Sequence, residues 1–172
     1  LGLLGMHQTE NAEVAMLLAY TLRDQFDIDD EAVTSGLEKA RHPGRLEYQG
    51  RYLFDGAHNI GGARALSEFL DASEARRITL IFGAMKDKDL AEITAILFPK
   101  AANLVLTRPE NTRAMRASEL ARFSDRDGHF LTDSVAEAIK KAEEITFDDE
   151  IILITGSLYL VGEAKRILRS QI

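Results

Sequence analysis

Asp55 and His58, in the stretch YLFDGAHNIGGARALSEF from Tyr52 to Phe69, have the types and spacing for work on an anionic ligand. A carboxylate at the end of a strand can accept ribose hydroxyls, and an imidazole three residues on can donate to a phosphate or carboxylate oxygen. Gly56, Gly61 and Gly62 let the backbone approach a ligand closely, while the helix that follows offers free N–H groups and a positive dipole end. The interval from Gly56 to Gly61 imitates the start of a Walker loop, but Gly62 and Ala63 stand where lysine and serine or threonine are required. A tight strand-to-helix turn, with glycines there for geometry alone, is the competing reading.

Three more loops bear residues of interest. In ITGSLYLVGEA, Ser157 sits at a strand-to-helix turn, either as a plain N-cap worth about 1 kcal/mol or as a ligand contact at the same helix end. Asp55, His58 and Ser157 do not make a hydrolase triad, because TGSLY lacks the second glycine of a nucleophile elbow. Lys86 and Lys88 in GAMKDKDL, beside Asp87 and Asp89, read as a solvated, capped helix start. In TRPENTRAM, Arg108 and Arg113 are either exposed loop charges or partners of an anion.

The elements that must position these loops follow from periodicity. Val14, Leu17, Leu18 and Leu22 make one helical stripe over Asn11 to Leu22, and a second helix runs from about Asp30 to Lys39. Pro43-Gly44 then breaks the pattern, and Gly50 stands between two strand-like runs, which predicts a hairpin. Ile78 to Phe82, Asn103 to Thr107, His129 to Leu131 and Ile151 to Thr155 read as short strands, the last three as apolar runs with little or no interruption. Helical patterns separate them: Ala63, Leu66 and Leu70; Leu90, Ile93 and Leu97; Val135, Ile139 and Ala142; Val161, Ala164 and Leu168. Asp89 with Glu92, and Ser134 with Glu137, have capping-box spacing. Apolar strands separated by single helices predict an α/β fold: a mostly parallel sheet with one antiparallel edge strand, helices on both faces, and a short helical segment in front. Ligands in such sheets sit beyond the carboxyl ends of the strands, so the loops after Phe54, Phe82, Thr107 and Thr155 should carry the function.

Composition narrows the class. The 172 residues are 45% hydrophobic and 28% charged, an ordinary globular balance. A net charge of -7 and a pI near 5.1 argue against a nucleic-acid partner, which needs a basic face. The absence of cysteine removes disulfides and thiolate chemistry, and suits the cytoplasm. The longest apolar runs are strand-sized, short of the roughly 20 residues that span a bilayer, so no membrane is expected. The chain opens LGLLGMHQ against a helix pattern with neither initiator methionine nor leader, which reads as a fragment.

Taken in order, GMHQTENA, HPGRLE, LFDGAHN, FGAMKDKD, TRPENTRA and ITGSLYLVGE resemble the later part of folylpolyglutamate synthase/dihydrofolate synthase, of the Mur ligase superfamily. The resemblance runs from about Gly5 to the C-terminus. It implies an ATP-dependent ligase that converts a carboxylate of folate or dihydropteroate to an acyl phosphate, which the amino group of L-glutamate attacks. It also implies that the Walker loop and the Mg2+ ligands belong to a larger N-terminal ATPase domain. Residues 1–42 would be the helical end of that domain and residues 43–172 a Rossmann-like Mur ligase C-terminal domain, inactive alone. Carried over, Asn11 resembles an adenine contact, Arg45 a phosphate contact and Asp55 a ribose-binding aspartate. His58 and Ser157 resemble residues that handle the incoming glutamate and the reacting phosphate. The family loop commonly continues with proline where this chain has Ile60, which bears on the stiffness of the turn. Two alternatives stand beside this reading: a stand-alone binding domain that kept the scaffold, and a sister ligase of peptidoglycan precursors.

Overall fold

The computed structural model describes residues 1–73, 77–125 and 128–170. Two helices, α1 (His7–Phe26) and α2 (Asp30–Lys39), lead the chain. Asp27 ends α1 in a left-handed conformation, φ 49°, and the Asp29 carboxylate opens α2 by accepting the Ala32 N–H at 2.7 Å. A hairpin follows, β1 (Glu47–Gln49) and β2 (Tyr52–Phe54). The chain then alternates: α3 (Ile60–Ala72), β3 (Ile78–Phe82), α4 (Leu90–Leu97), β4 (Asn103–Leu106), α5 (Ala117–Leu120), β5 (Phe130–Leu131), α6 (Val135–Ile145), β6 (Ile151–Thr155) and α7 (Leu158–Arg169).

The strands form one sheet in the order β1-β2-β6-β3-β4-β5, with β1 antiparallel to β2 and every other pair parallel. Side chains alternate across it, so each buried strand serves two cores. Leu53, Leu80, Phe82, Leu104, Leu106 and Leu153 face α3 and α4, where Leu66, Ile93 and Leu97 meet them. Phe54, Ile81, Val105, Ile152 and Ile154 face α6 and α7, against Val135, Ile139, Leu160 and Ala164. Burying a large apolar side chain is worth about 2 kcal/mol, and helices on both faces let β3 and β6 bury all five of their residues.

Chain direction reverses beside β3. From β3 the sheet grows through β4 to β5, and β6 then returns to lie between β2 and β3. The loop leaving β3 goes to the face of α4 and the loop leaving β6 to the face of α7. They part at their carboxyl ends and leave a crevice, the usual place for a ligand in such sheets.

The stripe Val14, Leu17, Leu18 and Leu22 lies on α1 as expected and is exposed, at 57, 66, 58 and 38%. Three expectations are corrected. Phe130 and Leu131 form a two-residue edge strand with both side chains exposed, since β5 has a neighbour on one side only. Asp89 makes no capping bond to α4. Ser134 accepts the Glu137 N–H, but Glu137 reaches back to the N–H of Asp133 and not to that of Ser134, a box displaced by one residue. The short α5 carries no readable period, and Glu119 holds its start by accepting the Arg116 N–H at 3.0 Å.

A half-buried ion pair ties the last helix to the hairpin. Lys165 of α7 donates to both carboxylate oxygens of Glu47 and lies 5.6 Å from the Phe54 ring centre. Burial alone would raise the Glu47 carboxyl, but the Lys165 bonds and the Gly44 N–H outweigh it and hold it below the usual carboxylate range. A depressed carboxylate contributes stability above its unfolded value, near 4.5, and loses it as pH falls through the folded one. Urea unfolding should therefore show Glu47→Gln with a flatter stability profile than the parent below about pH 4.5, the difference staying under about 1 kcal/mol because solvent screens the pair.

Candidate functional site

The loops at the carboxyl ends line two cavities that share the β2–α3 loop as a wall. The first, about 180 Å³, occupies the crevice between β3 and β6 and is lined by His58, Asp87, Lys88, Arg113, Ser157 and Tyr159 among others. Gly156 forms its floor at φ 110°, where a Cβ would come within 2.8 Å of the Gly83 carbonyl oxygen and of the Phe82 ring. Ser157 is 3% exposed and caps α7, its Oγ accepting the Leu160 N–H at 3.1 Å. Accepting that bond leaves the hydroxyl proton free to donate, so the cap and the ligand contact are compatible. His58 Nδ1 lies 2.7 Å from the Gly56 carbonyl oxygen. A carbonyl only accepts, so Nδ1 carries the proton and Nε2 of the neutral ring is left as an acceptor.

Arg113 arrives on a built loop. Its N–H donates to Asn111 Oδ1 at 2.9 Å, its carbonyl accepts the Lys86 N–H at 3.0 Å, and Met115 N–H bonds to the Ala84 carbonyl at 2.9 Å. These bonds lock the β4–α5 loop to the β3–α4 loop, so Lys88 and Arg113 share the crevice. Lys88 is part-exposed and lies 3.5 Å from Asp87, and Arg113 is exposed, so both are solvated charges that also line the cavity.

The second cavity, about 490 Å³, lies on the other side of the β2–α3 loop and is lined by His7, Asn11, Arg45, Asp55 and the Gly61-Gly62 start of α3. Asp55 is 5% exposed and already engaged: its two oxygens accept the N–H groups of Leu46 at 3.0 Å and Ala57 at 2.9 Å. The first bond fastens Leu46 in a left-handed conformation, φ 45°, and so fixes the lead-in that carries Arg45. Each oxygen keeps one lone pair, so a ribose contact stays open but is not its only role. Burial pushes the Asp55 carboxyl up, while the Leu46 and Ala57 amides, then Arg45 and His7, pull against it. A raised carboxyl favours folding most below its unfolded pKa, and the benefit is lost as pH rises through the folded one. Asp55→Ala is expected to cost ~3 kcal/mol at neutral pH by leaving two buried donors unpaired, and Asp55→Asn less because one acceptor survives. Chemical denaturation of the two variants checks the order.

Asn11 is exposed and oriented by Gln8, whose amide bridges it at 3.0 Å to the His7 ring at 2.9 Å. Gln8 is 6% exposed, and sequence reasoning missed it. No sequence signal marks it, because the burial of this one residue on α1 is visible only in the structure. Arg45 is half-buried and has no side-chain ion-pair or hydrogen-bond partner among the described residues. Asn11, Arg45 and Asp55 thus converge on one cavity and His58 and Ser157 on its neighbour, all at one rim of the sheet. Adjacent cavities split by a single glycine-bearing loop suit two ligands that must react.

Residues 44–158 match the model of the Mur ligase glutamate ligase domain. The chain belongs to the Mur ligase family. The chain is 39% identical over 171 residues to a probable bifunctional folylpolyglutamate synthase/dihydropteroate synthase of Halobacterium salinarum, covering 95% of this chain and 20% of that protein. It is 34% identical to a dihydrofolate synthase/folylpolyglutamate synthase of Bacillus subtilis, covering 97% of this chain and 40% of that protein. The chain therefore spans well under half the length of these relatives. Mycobacterium tuberculosis folylpolyglutamate synthase complexed with ADP superposes with a TM-score of 0.85 at 27% identity, over 97% of this chain and 41% of that one. The glutamate ligase domain thus has the mostly parallel sheet, antiparallel edge and two-sided helices expected of it. Among its described residues no helix is long and apolar enough to cross a membrane.

Proposed function

We propose that the chain is the amino-acid-binding part of a cytoplasmic ATP-dependent ligase that joins L-glutamate to a folate, and to dihydropteroate as a second acceptor. The observation that carries this reading is the pair of cavities on either side of residues 55–62: a nucleotide in one and glutamate in the other would lie a single loop apart. Asn11, Arg45 and Asp55 serve the nucleotide. In the crevice, Lys88 and Arg113 match the two carboxylates of glutamate, Ser157 donates its hydroxyl proton, and Asp87 and His58 Nε2 face the amino group.

In the reaction, a carboxylate oxygen of the acceptor takes the terminal phosphoryl group of ATP and ADP departs. The glutamate nitrogen then attacks the acyl carbon, the amide bond forms, phosphate leaves and the nitrogen gives up a proton. In this reading His58 Nε2, an acceptor when Nδ1 holds the proton, receives it. Burying Ser157 and Asp55 in walls that a second domain can close over excludes water from a hydrolysable acyl phosphate.

That second domain is the N-terminal ATPase domain of the same protein, with residues 1–42 as its helical end. The support is the apolar surface of α1, where Leu17 and Phe26 are 66% and 67% exposed, too much for a helix left bare in water. The Mg2+ that accompanies ATP would take its protein ligands from that N-terminal domain; among the described residues no group of three or more His, Asp or Glu side chains could hold a metal.

The test is a ligation assay on the polypeptide that joins this chain to the ATPase domain, with ATP, L-glutamate and competing dihydropteroate and tetrahydrofolate. Glutamate-dependent ADP release with either acceptor is expected, whereas release independent of glutamate would contradict the reading. The 172-residue chain alone should turn over nothing and bind ATP no better than about millimolar, because half a site forfeits most contacts.

A further inference from the structure

A third cleft, at the carboxyl ends of β4 and β5, stands apart from both cavities. It measures about 600 Å³ and is lined by Arg108, Arg116, Ala117, Ser118, Leu131 and Asp133. Arg108 and Arg116 have no side-chain ion-pair or hydrogen-bond partner among the described residues, although the chain carries a net charge of -7. Arg23, Arg51, Arg64, Arg77 and Arg166 each find a carboxylate. Two like charges left facing one cleft repel each other until an anion joins them, and guanidinium forks match carboxylates in particular.

The remaining groups narrow the ligand. Asp133 supplies one acceptor for a cation, Ser118 a hydroxyl, and Leu131 an apolar side chain that is 49% exposed. Two guanidinium groups, one carboxylate, one hydroxyl and an apolar surface complement a molecule with two carboxylates, one ammonium and a short methylene chain. The crevice between β3 and β6 repeats this set in Lys88, Arg113, Asp87, Ser157 and Leu158. Both sets hang on the same β4–α5 loop, Arg113 facing the crevice while Arg108 and Arg116 flank it on the other side.

We propose that the cleft is a second binding site for an acidic α-amino acid, held by Arg108, Arg116 and Asp133. The ligand class follows from the cleft's own charges; only the likeness to the crevice rests on the ligase reading.

The experiment is a titration of the 15N-labelled chain with L-glutamate, read at the amides of Ser118 and Asp133 for the cleft and of Lys88 and Leu158 for the crevice. Saturable shifts at both sets are expected. The double variant Arg108→Gln/Arg116→Gln should weaken binding read at Ser118 by about tenfold and leave Leu158 unchanged, and Arg113→Ala should do the reverse. Both arginines of the double variant are exposed, so an otherwise unchanged amide spectrum confirms its fold. Glutarate, which lacks the ammonium, should bind the cleft about threefold more weakly than L-glutamate, and Asp133→Asn should abolish that difference. Silence at Ser118 and Asp133 up to ~50 mM L-glutamate, or shifts that survive in the double variant, overturns the proposal. Glutarate or inorganic phosphate binding as tightly as L-glutamate overturns the amino-acid assignment. Silence confined to Lys88 and Leu158 counts against the ligase reading and leaves the cleft standing.

Discussion

Replacing Gly156 by alanine is expected to cost the domain ~3 kcal/mol or more, the largest stability effect of any single methyl group added at the site. Two causes act together. The backbone at φ 110° lies where an L side chain is strained, and the new Cβ would sit 2.8 Å from the Gly83 carbonyl oxygen and from the Phe82 ring. Neither neighbour can yield cheaply. Phe82 is fully buried and stacks edge-on against Phe98 at 5.2 Å, and a Cβ at Gly83 would itself meet the Thr107 carbonyl oxygen at 2.9 Å. The strand ends are therefore packed backbone to backbone, which is what holds the crevice at its present width. Urea unfolding of Gly156→Ala measures the effect, and a loss under about 1 kcal/mol would show that the strand ends can part without cost.

Much of this fold was legible in the residues themselves. IILIT, bounded by Glu150 and Gly156, read as a strand buried on both faces and ITLIF as a short strand, and the 3.6-residue periods around Leu66, Ile93, Ile139 and Ala164 placed four helices on the cores they occupy. The edge strand β5 was harder, because a strand with one neighbour and two exposed side chains leaves no pattern distinct from a loop. Asp55 shows what a sequence cannot display. Its bond to Leu46 spans nine residues of chain and depends on a left-handed backbone that no local propensity favours in leucine. The crevice was half legible: glycine and a small hydroxyl at a strand end pointed to Ser157, but Lys88 and Arg113 come from two other loops. Their meeting depends on the bonds from Lys86 and Met115 that pin those loops together.

Arg45 carries the heaviest functional expectation. It is a half-buried guanidinium in the cavity that holds Asp55 and Asn11, where it attracts the Asp55 carboxylate but makes no side-chain hydrogen bond or close ion pair among the described residues. Leaving a charge so placed has a cost unless a ligand's charge completes it, and charge that moves between phosphates during transfer is what such a group stabilises best. Removing it breaks no hydrogen bond that the fold uses and takes away only a through-space attraction for Asp55. Activity and stability should therefore separate, with ligation falling by about 10² or more while the melting temperature holds.

The most direct measurement is thus the rate of glutamate ligation by the joined polypeptide carrying Arg45→Ala, taken beside its thermal melt and that of the parent. A loss of at least about a hundredfold with an unchanged melt is the predicted result. Parental ligation by the variant would contradict the claim that this chain supplies half of the nucleotide site.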